Sequence, residues 1–418
     1  MLKSWPVFLI ALALAVGPSA ATAGQETLDS LIERALSRHP ELAAANTMRE
    51  ADDEAARAAG ALPDPMLSVG VMNLPSGSLA LDETPMSGVS VGLTQTIPWP
   101  GKLRSRSALA GVKTAQSETT TEIVSNQIVR EVADAYYEYS YWTTATSIID
   151  DYLQLLTATR DVAEVRYANG DASAQDVLRA GTMVERTEVR LKNHDQKRQA
   201  ALARLWRAVG DSSVFDGLPP DLPEPDVDGS QTGSFEHNPL LKNAELAVRS
   251  SEVRARLTRM NYYPDISFGV DYRFRKDVPG DPVHGEDFLT FRVGLNLPLW
   301  FFSKQKHQTS SATLMTRSSQ EREQAVRETL ASRMIDLRSR LNFTTGNLPR
   351  YDSTIVPQAE AAVEAAQVAY EVGKVDFNAL LSAQSELLDV RLERLDLLRQ
   401  YNQVRAAMTE LSGAPYER

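Results

Sequence analysis

The stretch Ile266-Ser267-Phe268-Gly269-Val270-Asp271-Tyr272-Arg273-Phe274-Arg275 decides the fold. Apolar residues at every even position alternate with small or charged ones. That period of two places successive side chains on opposite faces of a β-strand. One face is continuous hydrocarbon and aromatic; the other carries Asp271 and Arg273, which want water. Three more stretches read the same way. Leu67, Val69 and Val71 alternate with Ser68 and Gly70. Val89, Val91 and Leu93 alternate with Ser90, Gly92, Thr94 and Thr96. Leu289, Phe291, Val293, Leu295 and Leu297 alternate with Thr290, Arg292, Gly294 and Asn296.

Working outward from the strands, the chain is written twice. His39-Pro40-Glu41-Leu42 recurs as Asn238-Pro239-Leu240-Leu241, and Pro63-Asp64 as Pro264-Asp265. Ser68-Val69-Gly70-Val71 recurs as Ser267-Phe268-Gly269-Val270. Val91-Gly92-Leu93, followed by Lys102, recurs as Val293-Gly294-Leu295, followed by Lys304. Tyr167, Gly170 and Leu178 return as Tyr370, Gly373 and Leu381, and Gly210 as Gly413. A repeat of this length defines structural equivalents rather than domains with separate tasks. The division is a first repeat over 24–210, a Pro-, Gly- and Asp-rich linker over 211–233, a second repeat over 234–413 and a short tail, 414–418.

Each repeat reads helix, strand, loop, strand, very long helix, turn, long helix. The first helix is expected from about Thr27 to Gly60, with Leu28, Leu31, Ile32, Ala35 and Leu36 on one face. From Leu103 to about Ala168 there is no proline, which predicts about 100 Å of helix at 1.5 Å per residue. Ile128, Val132, Ala135, Tyr139, Trp142, Ile149, Leu153 and Leu156 step by about three and four along it, a coiled-coil-like seam. In the second repeat, Gly346 and Pro349 predict an interruption of the equivalent helix, which resumes near Pro357.

The N-terminus is an address. Lys3 supplies a positive end, Val7 to Val16 is an apolar run too short to span a membrane, and Ala21-Thr22-Ala23 offers a small-x-small cleavage site. This is the pattern of a cleaved signal peptide, residues 1–23. The 418 residues hold no cysteine, which excludes a disulfide framework, a thiolate metal site, a cysteine nucleophile and an N-terminal lipid anchor on cysteine. The net charge of −11 argues against a nucleic-acid binder.

A soluble sheet covered by helices would also give a period of two. Three features favour a bilayer. The strands are expected to run about 9–11 residues, the length a tilted membrane strand needs. Aromatic residues cluster where strands meet helices, Trp99 in one repeat and Trp300, Phe301 and Phe302 in the other, as an interfacial girdle requires. The signal peptide delivers the chain outside the cytoplasm. Sheet edges cannot face lipid, because unpaired backbone groups there cost several kcal/mol each. Four strands are too few to close a barrel, so several copies must share one.

The duplicated pattern resembles the TolC family of outer-membrane efflux proteins over nearly the whole mature chain. Its most specific part is the pair of tips. Tyr167-Ala168-Asn169-Gly170 is followed by Ser173 and Asp176-Val177-Leu178-Arg179-Ala180, and Tyr370-Glu371-Val372-Gly373 by Ala379-Leu380-Leu381 and Gln384. The corner Gln95-Thr96-Ile97-Pro98-Trp99-Pro100-Gly101-Lys102 is also family-like. Pro63-Asp64-Pro65 through Met72-Asn73-Leu74-Pro75 looks most like the heavy-metal (CusC and CzcC) branch. The resemblance implies a mainly α fold with a membrane β-barrel. A homotrimer would build a twelve-stranded barrel in outer-membrane lipid, continuous with a long-helix α-barrel in the periplasm of a Gram-negative-type bacterium. The implied role is a passive exit duct, not an enzyme, in a tripartite pump. Its implied partners are a periplasmic adaptor protein and an inner-membrane RND-type transporter. Adaptor contact is then expected at Asn169, Gly170, Asp171, Val372, Gly373 and Lys374. The family's periplasmic mouth is narrowed by acidic residues after the second tip. Here Ala379 and Ser382 stand at those places, which leaves Asp176, Tyr370 and Asp376 as gate candidates.

No catalytic constellation or cofactor motif stands out, and no metal site is expected. The five histidines are scattered, and His284-Gly285-Glu286-Asp287 reads as a solvated loop with an ion site as the alternative. Two other functional readings remain: a duct of the same architecture for drugs or for type I protein secretion, and a periplasmic coiled-coil scaffold without a pore.

Overall fold

Proline sets the first break in the chain. The computed structural model describes residues 27–211, 222–225 and 233–413. The expected signal peptide, most of the linker and the C-terminal tail lie outside them. The helix expected over 27–60 is two helices, α1 (Leu28–Arg38) and α2 (Pro40–Ala59). Pro40 has no N–H to give and pushes the preceding residue out of the helical region. His39 is therefore extended, φ −65° and ψ 123°, and its ring nitrogen accepts from the Glu41 N–H as a cap. Asn238 does the same before Pro239, accepting from the Leu240 N–H at 2.8 Å while its amide donates to the Leu411 carbonyl at 2.8 Å.

The remaining elements follow the repeat. The first copy continues with β1 (Met66–Met72), β2 (Gly88–Ile97), α3 (Lys102–Ala168) and α4 (Ala174–Val209). The second has α5 (Pro239–Arg259), β3 (Asp265–Phe274), β4 (Phe288–Asn296), α6 (Lys306–Arg350), α7 (Val356–Glu371) and α8 (Phe377–Ser412). β1 spans 7 residues, shorter than expected, while the other three span 9 or 10. α3 runs unbroken for 67 residues, about 100 Å.

The interruption expected at Gly346 and Pro349 is not a break. α6 carries Pro349 inside it, and a π-helical turn, Tyr351–Ile355, joins it to α7. A proline removes one i→i−4 bond and crowds the preceding turn, and a π turn widens the helix enough to absorb that misfit. Leu348, buried in the core cluster, anchors the segment. The core lies where α1, α3, α4 and α8 meet, around Leu31, Val132, Ile149, Leu156, Leu205, Val209 and Leu398. Each such side chain contributes roughly 1.5–3 kcal/mol by burial. No helix among the described residues is long and apolar enough to cross a membrane.

The four strands form one antiparallel sheet in the order β1-β2-β3-β4. The two hairpins share a register: Ser68 lies opposite Gly92, and Ser267 opposite Gly294. β2 and β3 join them, with Leu93 opposite Val270.

Candidate conduit and periplasmic tips

Register sorts the sheet into two faces. Leu67, Leu93, Val270 and Phe291 line up across all four strands on one face. No helix covers that face: Leu67, Val69, Phe268, Phe291 and Val293 all stand exposed. An exposed apolar surface of this extent needs a non-aqueous partner. The opposite face lines up Ser68, Gly92, Asp271 and Thr290. There Arg292 pairs with Asp271. Glycine at 92 leaves room for that carboxylate, since a Cβ would collide with Asp271 and stand 2.8 Å from Ser68 Oγ. The polar face suits an aqueous bore.

The aromatic residues at the junction divide. Trp300 and Phe302 are exposed, with Phe301 less so. Trp99 is half-buried and stacks on Tyr263, centroids 5.0 Å apart. Beside it the Lys102 ammonium donates to Asp265 at 2.7 Å and to the Tyr263 carbonyl at 3.2 Å, and the Trp99 N–H donates to Asp265 at 2.8 Å. This corner ties the first repeat to the second. The sequence marks the Gln95-to-Lys102 corner and Trp99, but not their contacts with Tyr263 and Asp265.

Opposite the sheet, the two helical hairpins end in tight turns. Gly170 and Gly373 take φ +82° and +71°, the left-handed region in which a Cβ is strained. Backbone bonds close both turns, from Asp171 N–H to the Arg166 carbonyl at 2.9 Å and from Lys374 N–H to the Ala369 carbonyl at 2.8 Å. Asn169, Asp171, Val372 and Lys374 are all exposed around them.

Of the three gate candidates, the two carboxylates act as helix caps. Asp176 forms a reciprocal capping box with Ser173 at the start of α4. Asp376 caps α8, accepting from the Ala379 N–H at 2.9 Å. Tyr370 is different. It is buried, its ring lies 5.5 Å from that of Phe377, and its hydroxyl has no hydrogen-bond partner. Burial pushes that hydroxyl above the usual tyrosine range, against the pull of the Arg166 cation. Arg166 reaches across from α3: its guanidinium sits 4.6 Å from the Tyr370 centroid and donates to the Tyr370 carbonyl and, at 3.2 Å, to the Asp171 carbonyl. Arg179 donates to Asn378 in the same way, and Gln384 to Thr159 at 2.9 Å. Arg166 escaped the sequence reading because the repeat places Ala369 at its equivalent position. A difference between two otherwise matching tips was the available signal.

The loop around His284 is occupied by its own bonds. Asp281 accepts from the Val283 and Gly285 N–H groups and pairs with Arg275; Asp287 accepts from Arg275 N–H and Tyr272 hydroxyl. Among the described residues no group of three His, Asp or Glu side chains is placed to hold a metal ion.

Comparison with known proteins accords with this geometry. The profile of the outer membrane efflux protein family matches residues 31–211 and again 234–414. The cobalt-zinc-cadmium resistance protein CzcC of Cupriavidus metallidurans is 22% identical over 408 residues, spanning 94% of this chain and 91% of CzcC. The outer membrane protein VceC of Vibrio cholerae superposes with a TM-score of 0.79 at 18% identity, over 93% of this chain and 97% of VceC. CusC, described in terms of transmembrane channel formation, gives 0.79 at 16% identity, over 93% and 92%. The fold is thus that of the outer-membrane channels: a long-helix α-barrel subunit carrying four strands of a β-barrel.

Proposed function

We propose, from the premise that this chain belongs to the outer membrane efflux protein family, that three copies form the exit duct of a tripartite efflux pump. Proteins of this family are ducts rather than enzymes. One observation carries the proposal: an open four-stranded sheet whose apolar face and both edges are bare, mounted on helices about 100 Å long. Bare edges are untenable in lipid, and three copies supply the twelve strands that leave an aqueous lumen. The N-terminal pattern supports a cleaved signal peptide and, with no cysteine in the chain, no lipid anchor on cysteine. The exposed tips around Gly170 and Gly373 are the surface for the adaptor, which connects the duct to an inner-membrane RND-type transporter. The purified protein should extract from outer membranes as a heat-labile trimer and conduct ions in planar bilayers. A soluble monomer without conductance would favour the scaffold reading.

For the cargo, we infer heavy-metal cations. The support is the likeness to a cobalt-zinc-cadmium resistance protein over nearly the full length of both chains. A duct needs only to be wide and to bind weakly, so the lack of a built ion site among the described residues does not oppose this. A deletion strain should become sensitive to cobalt, zinc or cadmium. Sensitivity to drugs alone, or loss of a secreted protein, would replace this cargo with the alternatives.

A further inference from the structure

We propose that the seam between neighbouring copies repeats, residue for residue, the joint that β2 and β3 make inside one copy. The inference rests on the shared-barrel reading above and goes beyond it by fixing the register. Its basis is the duplication as the structure displays it. Ser68 and Gly92 face each other as Ser267 and Gly294 do, so β1 is equivalent to β3 at a spacing of 199 residues and β2 to β4 at 202. Inside the copy, β2 of the first hairpin pairs with β3 of the second: Leu93 opposite Val270, Gln95 opposite Phe268, Thr94 opposite Gly269. Carried to the seam, β4 of one copy pairs with β1 of the next. Leu295 then meets Val71, Leu297 meets Val69 and Asn296 meets Gly70 of the neighbouring copy.

Two observations favour this register. Leu295, Leu297, Val69 and Val71 are all exposed in the single copy, and the register brings them together on the apolar face while Asn296 and Gly70 fall on the polar one. A slip of one residue would put the apolar set in the bore. A slip of two would keep the faces but give the seams a different stagger from the internal joints. Equivalent hairpins in a closed ring are expected to share one stagger. The seam also differs from the internal joint at its foot. Met66 stands where β3 has Asp265, since Met66 faces Thr94 as Asp265 faces Asn296. The ion pair that Lys102 makes with Asp265 is therefore not repeated at that register position; Asp64, the counterpart of Asp265 in the repeat, stands two residues before Met66, and it and Lys304 are exposed. Within the strand bounds the register pairs Gly294, Leu295 and Asn296 with Met72, Val71 and Gly70, and Leu297 continues it just past the end of β4.

The chain has no native cysteine, so paired substitutions read the register directly. Residues opposite each other in an antiparallel pair have Cα atoms about 4.5–5.5 Å apart, within disulfide range. Full-length protein carrying Leu295→Cys with Val71→Cys, oxidised in outer membranes, should give covalent dimers and trimers on a non-reducing denaturing gel. Leu297→Cys with Val69→Cys should do the same. Yields should exceed several-fold those of the slipped pairs, Leu295→Cys with Val69→Cys and Leu295→Cys with Asn73→Cys. Maximal linking at a slipped pair, in a protein that runs as a trimer, would overturn the register and leave the shared barrel standing. Absence of any trimer in the unsubstituted protein would overturn both.

Discussion

The Arg166 guanidinium, on one helical hairpin, sits 4.6 Å from the centroid of the Tyr370 ring on the other and donates to the Tyr370 carbonyl. The contact joins the two tips of one copy. A partly desolvated cation over an aromatic face is worth on the order of 1–2 kcal/mol, enough to bias two arrangements of a tip but not to hold the fold. Arg166→Ala is therefore expected to leave the trimer intact and loosen the mouth. Closed-state conductance in planar bilayers should rise and tryptic cleavage after Lys374 should quicken several-fold. Arg166→Lys, which keeps the charge but not the forked donors, should fall between. Unchanged conductance and cleavage in Arg166→Ala would remove the contact from any gating role.

Gly170 has φ +82° and open space around it. A side chain there meets only its own backbone strain, about 1–2 kcal/mol. Gly170→Leu and Gly373→Leu should thus assemble normally, with trimer yield on native gels close to that of the parent. If the tips are the adaptor contact, both should nevertheless lose efflux. Full efflux in both variants would move the contact elsewhere.

Gly92 is a packing requirement rather than a turn. Gly92→Val drives a side chain into Asp271 and Ser68, overpacking that costs typically 1–3 kcal/mol. The trimer band should disappear at a lower temperature than in the parent. Gly77→Val, in open space on a loop, should leave it where it was.

His194 is buried against Trp142, ring centroids 5.1 Å apart. Burial first, then the Arg190 and Lys197 cations, pull its pKa from 6.5 down to about 4. Between those values the unfolded chain binds the proton and the folded one does not. The stability this neutral ring contributes is full above pH 6.5 and is lost as pH falls toward 4, by at most about 1.4 kcal/mol per pH unit. Thermal unfolding followed by circular dichroism should show a drop in midpoint from pH 7 to 4.5, smaller in His194→Phe. Equal drops in the two proteins would place the acid sensitivity elsewhere.

The strands were readable in the sequence because period two in Ile266–Phe274 leaves little alternative, and the tips because Gly170 and Gly373 recur at matching places. The break at Pro40 leaves no local mark: a proline at the first helical position is tolerated, so the apolar pattern continues across it. Pro349 misled in the other direction. A proline in a helix usually breaks or kinks it, yet here the helix continues through a π turn, and Leu348 beside the proline packs into a core built from distant helices. Lys102, Asp265 and Arg166 owe their roles to partners about 160 to 200 positions away, which no local spacing reveals.

The two copies build almost the same rod twice, but the rods differ mechanically. α3 is a continuous strut from the junction to the tip, whereas the corresponding length in the second repeat carries a π turn partway along. Around a ring of three copies, stiff and jointed rods would alternate. A rod of about 100 Å converts a tilt of one degree into a displacement of roughly 2 Å at its far end. The struts would then fix the length of the bore and report any rocking of the barrel at the tips. In the jointed rods that turn is tied to α8, where Tyr351 donates to Glu393 and Asp352 pairs with Arg394, so the second rod is braced by its neighbour at the point where the first is stiff by itself.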